Sequence, residues 1–156
     1  MRHPVPEAIR ACGLLTLALV ALAGCDDTSP TDPQPLQEFA GAFTPVEAYE
    51  ELFGSAVVVA GEAEFSVAVA VQEAPDPGEA GHPWVLMEGS CEAPGPLLRD
   101  WDELPAIVLD AQGEWSDGPI TGVVSGVDQM ALELRLSMGE PEAVVACADL
   151  EEQVAD

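Results

Sequence analysis

The sequence contains no lysine, and its four arginines are set against 29 aspartates and glutamates, which gives a formal net charge of −25 at pH 7. A surface this acidic repels nucleic acid and anionic lipid headgroups, so neither is expected as a partner. The acids are spread along the chain, a pattern typical of a solvated surface rather than a binding tail. A calcium site needs an Asp-rich loop with ligand spacing, which the sequence lacks. An acidic surface that holds divalent cations stays an alternative.

Long apolar runs are also missing. The one apolar stretch, residues 13–23, is far shorter than the roughly 20 residues that cross a bilayer, so it predicts a signal peptide rather than a membrane-spanning helix. Arg2 and Arg10 precede this stretch, and Leu22-Ala23-Gly24-Cys25 ends it. The ending resembles a bacterial lipobox. An ordinary cleaved signal peptide is the alternative, but a cysteine directly after Leu-Ala-Gly favours lipidation.

The lipobox-like ending predicts that residues 1–24 are removed as a lipoprotein signal peptide and that Cys25 carries acyl chains. Each buried methylene contributes about 0.8 kcal/mol, so several chains make a lasting membrane anchor. Residues 25–42 begin with acids and prolines that cannot bury a core, and we expect them to form a tether. The mature chain is then exported and lipid-anchored to the bacterial cell envelope, at the periplasmic or the outer surface.

One small domain is expected after the tether. Thr44-Pro45-Val46-Glu47 has the residues of a capping box with proline at the first helical position, and it predicts a short helix over residues 43–54. Residues 55–152 contain several short apolar or alternating runs separated by Gly and Pro turns. This pattern predicts an all-β, immunoglobulin-like Greek-key sandwich.

Individual strands can be located by a period of two. Apolar residues alternate with small or polar ones over residues 65–72 and again over residues 130–138, as a half-buried strand requires. Residues 107–110 and 114–115 flank Gln112-Gly113, which predicts a hairpin at this point.

Two cysteines remain for the domain, Cys91 and Cys147, if Cys12 leaves with the signal and Cys25 carries lipid. An exported domain meets an oxidising compartment, so a disulfide is expected, with a pair of free buried thiols as the alternative. Closing the loop of about 57 residues between these cysteines stabilises a fold by roughly 4 kcal/mol in the chain-entropy model. No Cys-x-x-Cys spacing is present, so the bridge is expected to be structural.

The segment His82-Pro83-Trp84-Val85-Leu86-Met87-Glu88-Gly89-Ser90-Cys91 resembles an element of the copper/zinc superoxide dismutases and of small bacterial chordin-domain (CHRD-type) lipoproteins. In that group the element commonly reads His-Pro-x-His-x-His-x-Gly-Thr/Ser-Cys. Residues 144–150 are similar to the family's closing strand, whose cysteine bonds back to the Gly-x-Cys loop. The resemblance covers roughly residues 56–150 and implies a superoxide dismutase-like Greek-key sandwich.

The departures from this family concern the metal ligands. Val85 and Met87 stand where the paired histidines would be, and a further family histidine would fall near Arg135. Without residues 1–24 the chain has only one histidine, His82, which cannot by itself supply a copper or zinc site. The resemblance therefore implies a relative that has lost its metal and needs no cofactor.

In two alternatives the protein binds a metal. One is a copper/zinc-binding superoxide dismutase-like protein, and the other is a soft Cu(I) site built from His82, Met87 and either Met130 or Met138. Methionine on an amphipathic strand is more often packing than a ligand, which weakens the second alternative.

Strand parity predicts where a partner could bind. If Leu86 points into the core, Val85 and Met87 point outward together, close to Trp84 and Arg135, and would form a small interaction patch. The alternative is that a neighbouring loop, residues 97–104 with Trp101, covers them. We favour the cover, because monomers seldom leave large apolar patches bare.

Catalytic motifs are missing as well. The sequence has no Gly-x-Ser-x-Gly elbow, phosphate-binding glycine loop or zinc-helix motif. His82 lies beside Pro83 in a Gly- and Pro-containing loop, where we expect an exposed or capping residue. These observations favour a non-catalytic envelope module with a structural or interaction role, whose partner would be an unidentified envelope protein.

Overall fold

The computed structural model describes residues 36–124 and 126–154. The predicted signal peptide, Cys25 and most of the predicted tether lie outside these residues. Within them, eight strands form one antiparallel sheet: β1 (Gln37–Pro45), β2 (Phe53–Ala60), β3 (Glu64–Gln72), β4 (Trp84–Gly89), β5 (Pro94–Arg99), β6 (Glu114–Thr121), β7 (Gln129–Ser137) and β8 (Glu140–Glu152). Their order across the sheet is β5-β4-β7-β8-β1-β2-β3-β6. The predicted all-β class is confirmed.

The strands form because their apolar residues recur at every second position. In β3, Phe65, Val67 and Val69 are buried while Ser66 and Ala68 point the other way. The inward side chains of all the central strands make one main core, whose largest fully buried members are Phe39, Phe65, Trp84, Leu86, Met130, Leu132, Leu134 and Leu150. The core therefore lies on one side of the sheet.

The sheet curls so that its two ends face each other across this core. Trp84 lies on β4, near one end of the strand order, and Trp115 lies on β6, at the other end. Their rings meet edge to face with centroids 6.0 Å apart, a pair worth about 0.5–1.5 kcal/mol beyond its buried area. The indole nitrogen of Trp84 donates to the carbonyl of Pro105 at 2.7 Å. The result is a sandwich-like packing of one sheet on itself.

Both edge strands are poor templates for a further strand. β5 carries Pro94 and Pro96, and β6 carries Pro119, none of which has an amide hydrogen to donate. The carboxylate of Asp110 accepts from the amide of Glu114, the first residue of β6, at 2.9 Å. The carboxylate of Asp117 accepts from the amide of Gly118 at 2.8 Å. Such devices oppose pairing with another chain.

The predicted helix over residues 43–54 is wrong. Thr44 and Pro45 belong to β1, where they pair with Cys147 and Ala146 of β8. A single 3-10 turn, Glu47–Tyr49, follows before β2 begins at Phe53. A helix of so few residues is marginal, and sheet pairing with a strand about a hundred residues away prevails. Because β1 starts at Gln37, the predicted tether also ends before residue 42.

The predicted hairpin around Gln112-Gly113 is present only as a turn: the Asp110 amide donates to the Glu114 carbonyl at 3.0 Å, but residues 108–110 form no strand. The Asp110 carboxylate accepts from the amides of Gln112 and Glu114, which closes the turn locally. Ile107 forms a bridge with His82 instead of pairing with the strand that follows. That strand, β6, pairs with β3 beginning at Ala70 and Glu114.

The predicted disulfide is present. Cys91, just after β4, is bonded to Cys147 in β8, with Cα atoms 5.9 Å apart and a separation of 56 residues. The amide of Cys91 also donates to the carboxylate of Asp149 at 2.6 Å. The bridge ties the loop after β4 to the strand two positions away in the sheet.

Replacing both Cys91 and Cys147 by serine is expected to lower the free energy of unfolding by up to about 4 kcal/mol, because the unfolded chain regains the entropy of an open loop. Denaturant unfolding of the mature chain, made without residues 1–24 and with Cys25→Ser to prevent lipidation, measures this difference. The wild-type cysteines treated with reductant serve as the matched control and should approach the double variant. Equal stability of the oxidised and double-serine proteins would contradict a stabilising bridge.

Candidate functional site

The interaction patch predicted from Trp84, Val85, Met87 and Arg135 is not exposed on the surface. Val85 and Met87 do share the outer face of β4, opposite to Leu86, as parity predicted. However, their exposed fractions are 1% and 4%. Trp84 points the other way, into the main core, and is fully buried. The proposed interaction patch is therefore corrected: its apolar members are inside the molecule.

A short segment of the chain covers this outer face. Trp101 packs against Val85, Met87 and Ala131, and the Cys91–Cys147 disulfide closes the same small cluster. A 3-10 turn, Trp101–Glu103, presents the indole; its cap is the Asp100 carboxylate, which accepts from the Trp101 amide at 2.7 Å. The cover favoured from the sequence is confirmed.

Arg135, the fourth predicted patch residue, lies on β7 and is engaged with its own neighbourhood. Its guanidinium donates to Glu133 at 2.8 Å and to the carbonyl of Pro141 at 2.7 Å, and Glu142 lies 3.7 Å away. The Arg135 and Glu133 side chains are only 14% and 20% exposed. The guanidinium thus holds the β7–β8 hairpin together rather than offering a free cation to a partner.

His82 is fully buried, which corrects the expectation of an exposed or capping residue. Its Nδ1 donates to the carbonyl of Arg135 at 2.8 Å, and its backbone exchanges two hydrogen bonds of 2.8 Å with Ile107. The amide of Arg135 in turn donates to the carbonyl of Pro83 at 2.9 Å. The imidazole therefore has a structural position at the start of β4.

The hydrogen bonding of His82 determines the tautomer of its neutral imidazole. Since Nδ1 faces a carbonyl acceptor, the ring proton lies there, and Nε2 is buried with no hydrogen-bond partner among the described residues. A second proton on Nε2 would create a buried, unpaired donor. Burial accordingly lowers the pKa of His82 below its ordinary value of 6.5. The hydrogen bond to the Arg135 carbonyl and the negative charge of Asp76 act in the opposite direction, but their effect is smaller.

The soft copper site suggested by the sequence is not assembled. Met87 pairs with Ala131 and lies on the outer face, whereas Met130 is in the main core on the opposite side of the sheet. His82 precedes Met87 by five residues, or roughly 16 Å along an extended chain. Across residues 36–124 and 126–154, no three His, Cys, Asp or Glu side chains come close enough to hold a metal ion.

The other half of the sheet has an outer face of a different kind, which the sequence analysis missed. Here β1, β2, β3 and β6 present a continuous array of small, uncharged side chains. Val57 pairs with Ala40 and Ala68, and Ala68 pairs in turn with Ser116. We call this array the small-residue face; its members are Ala40, Ala42, Ser55, Val57, Val59, Ser66, Ala68, Ala70 and Ser116, all exposed or partly exposed.

Acidic residues border the small-residue face at several points, and exposed Phe53 and Gln72 adjoin it at one end of β2 and β3. Glu38 pairs with Val59, and Glu64 precedes Ser66 on the same side of β3. Glu114 of β6 pairs with Ala70, and Glu151 of β8 pairs with Ala40. Two shallow grooves of about 460 and 340 Å³ run across the face between β2, β3 and β6. An uncharged centre with an acidic rim thus results. The alternating Ser66, Ala68 and Ala70 were the sequence signal for it.

No protein-family model, curated protein or solved structure matches the chain. In the part of the chain that the structure describes, helices long and apolar enough to cross a membrane are absent.

The stability contributed by His82 should depend on pH. Below pH 6.5 the unfolded histidine takes up a proton that the folded one resists, so the free energy of unfolding falls as pH drops from about 7 to 5, by at most about 1.4 kcal/mol per pH unit. Denaturant unfolding of the mature wild type and of His82→Gln, compared at each pH, isolates this change, since the carboxylates are common to both. A difference between the two that stays constant with pH would contradict the buried neutral imidazole.

Proposed function

We propose that the chain is a lipid-anchored, non-catalytic module of the bacterial cell envelope that binds a protein partner through the small-residue face. The observation that carries the proposal is the contrast between the two outer halves of the sheet. One half is covered by Trp101 and the disulfide, while in the other the side chains of Val57, Ala68 and their neighbours stay open. In so acidic a chain, another surface meets the least like-charge repulsion at an uncharged area of this kind.

The dimensions of the face constrain the partner. Four strands about 4.8 Å apart and five residues along β2 make an area of roughly 14 by 14 Å, or about 200 Å². A stable complex buries about 800 Å² on each side, so a partner must also contact the rim. Glu38, Glu64, Glu114 and Glu151 form that rim. The expected partner therefore combines a small or apolar centre with surrounding Lys or Arg residues.

A second copy of the chain is a poorer occupant. Removing residues 1–24 takes away Arg2, Arg10 and Glu7, so each mature chain keeps two arginines against 28 acids. Bringing two such faces together would place their acidic rims side by side, and like charges in contact oppose association.

The superoxide dismutase-like relationship stays part of this proposal. At the positions where relatives would carry imidazoles, Val85 and Met87 form an apolar cluster under Trp101. Val85 has no donor atom for a metal, and the one thioether of the cluster, that of Met87, is only 4% exposed and packs beneath Trp101. Its packing supports a domain in which the metal site has been replaced by hydrophobic contacts.

Photo-crosslinking in the source bacterium tests the binding face. A photoreactive residue at Ala68, in the centre of the face, is expected to give one discrete adduct, whereas the same residue at Val108, which is exposed elsewhere, should not. Added mature wild-type domain should compete the adduct away. The Ala68→Asp domain should not compete, because a buried carboxylate would be left unpaired. Adducts that are equal at both positions, or insensitive to Ala68→Asp, would refute this face.

Acyl labelling tests the anchor. Cells that express the full-length chain and grow with labelled palmitate should incorporate the label, and Cys25→Ala should abolish incorporation because no acceptor thiol remains. Cys12→Ala is the matched control and should keep the label, since Cys12 lies in the predicted signal peptide. Label that persists in Cys25→Ala would exclude lipidation at this cysteine.

A further inference from the structure

The sequence Asp117-Gly118 occupies an unusual position in the free edge strand β6. Both residues are exposed, and β6 pairs only with β3 among the described strands. The pairing is irregular at this point, because Phe65 pairs with Ile120 but Val67 pairs with Asp117. One residue of β3 therefore stands opposite two of β6, which is a β-bulge, and Gly118 has no partner in the register.

The fold requires glycine at this position. An added Cβ on Gly118 would lie 2.5 Å from the Cβ of Ser66, and the backbone of Gly118 has a φ of 152°. Any larger residue would have to displace β3. The tight approach that the bulge needs thus places a glycine, whose amide has no neighbouring side chain of its own residue, directly after an aspartate.

The side chain of Asp117 is already held against that amide. The nitrogen of Gly118 donates to Oδ1 of Asp117 at 2.8 Å. The atoms that would react, this nitrogen and Cγ of the same carboxyl group, are thereby neighbours in the folded state. Neither lies under another strand or loop, since both residues are exposed to solvent.

We infer that Asp117 is a site of spontaneous isomerisation in the folded protein. The Gly118 nitrogen attacks Cγ of the protonated carboxyl group, a C–N bond forms, and the amide proton and the carboxyl hydroxyl leave as water, which gives a succinimide. Water then adds to the main-chain carbonyl of the ring and breaks its bond to nitrogen. The chain now runs through Cβ and Cγ of residue 117 as isoaspartate. Mass and oxidation state are unchanged, and water is the sole co-reactant.

The product changes the geometry of the edge strand. Isoaspartate lengthens the main chain by one methylene and leaves the former main-chain carbonyl carbon as a free carboxylate. Asp117 lines the smaller groove of the small-residue face, together with Val57, Val59 and Ser66. The modification would therefore reshape one rim of that face, but the inference itself does not depend on any partner.

The chain offers a convenient assay. Its lack of lysine means that trypsin releases residues 100–135 as one fragment, cut after Arg99 and Arg135. The aspartates of this fragment are Asp100, Asp102, Asp110, Asp117 and Asp128. The oxidised mature chain with Cys25→Ser is incubated near neutral pH, either folded or unfolded in urea, and then digested. Isoaspartate is quantified by methyl transfer from S-adenosylmethionine with an isoaspartyl methyltransferase, and located by fragmentation in the mass spectrometer.

In the folded protein, isoaspartate is expected to accumulate at Asp117 at least as fast as in the unfolded chain, and not at Asp110 or Asp128. Asp117→Asn should give the same product sooner, because ammonia is lost more readily than water. Asp117→Glu, which keeps the charge but would need a larger ring, should lose the signal. Isoaspartate that forms only in urea, or at Asp110 and Asp128 to the same extent, would overturn the inference.

Discussion

The fold depends on how the buried ring of His82 is held. Its backbone exchanges hydrogen bonds with Ile107, and its Nδ1 donates to the carbonyl of Arg135. The connection before β4, the connection between β5 and β6, and strand β7 all meet at this residue. Because a buried polar group is costly unless it is hydrogen-bonded, these bonds select one mutual arrangement of the three segments. The arrangement sets Trp84 in place two residues later.

The path of the β5–β6 connection then makes the two outer halves of the sheet different. The connection begins at Asp100, its Trp101 covers Val85 and Met87, and it passes the Trp84 indole at Pro105. The connection runs from one edge strand to the other, and no part of it covers the outer side of β2 and β3 as Trp101 covers β4. One apolar surface is consequently sealed by the chain's own aromatic residue, and the opposite half is lined with side chains too small to need sealing.

The parts of the structure that follow from local patterns could be predicted from the sequence. The alternation in β3 and β7 identified both strands, and cysteine counting identified the disulfide. The helix expected at residues 43–54 could not compete with pairing to β8, a contact that no local pattern reveals. The burial of His82 depends on an acceptor 53 residues away in the chain. The small-residue face could not be recognised without the register of four strands, because each strand contributes only one to three of its residues.

The absence of charge on this face is not a consequence of its geometry. The same strands carry Glu38, Glu64 and Glu114 at outward positions next to it, so acids are compatible with these strands wherever solvent reaches them. In an acidic chain the uncharged area is also where another surface meets least electrostatic resistance on close approach. Approach from the side is opposed by Pro119 and the carboxylate of Asp117 on the edge of β6. Under the proposed function, a partner would therefore dock face-on. The acidic rim would accelerate the arrival of a basic surface, and the uncharged centre would lose little hydration energy on burial.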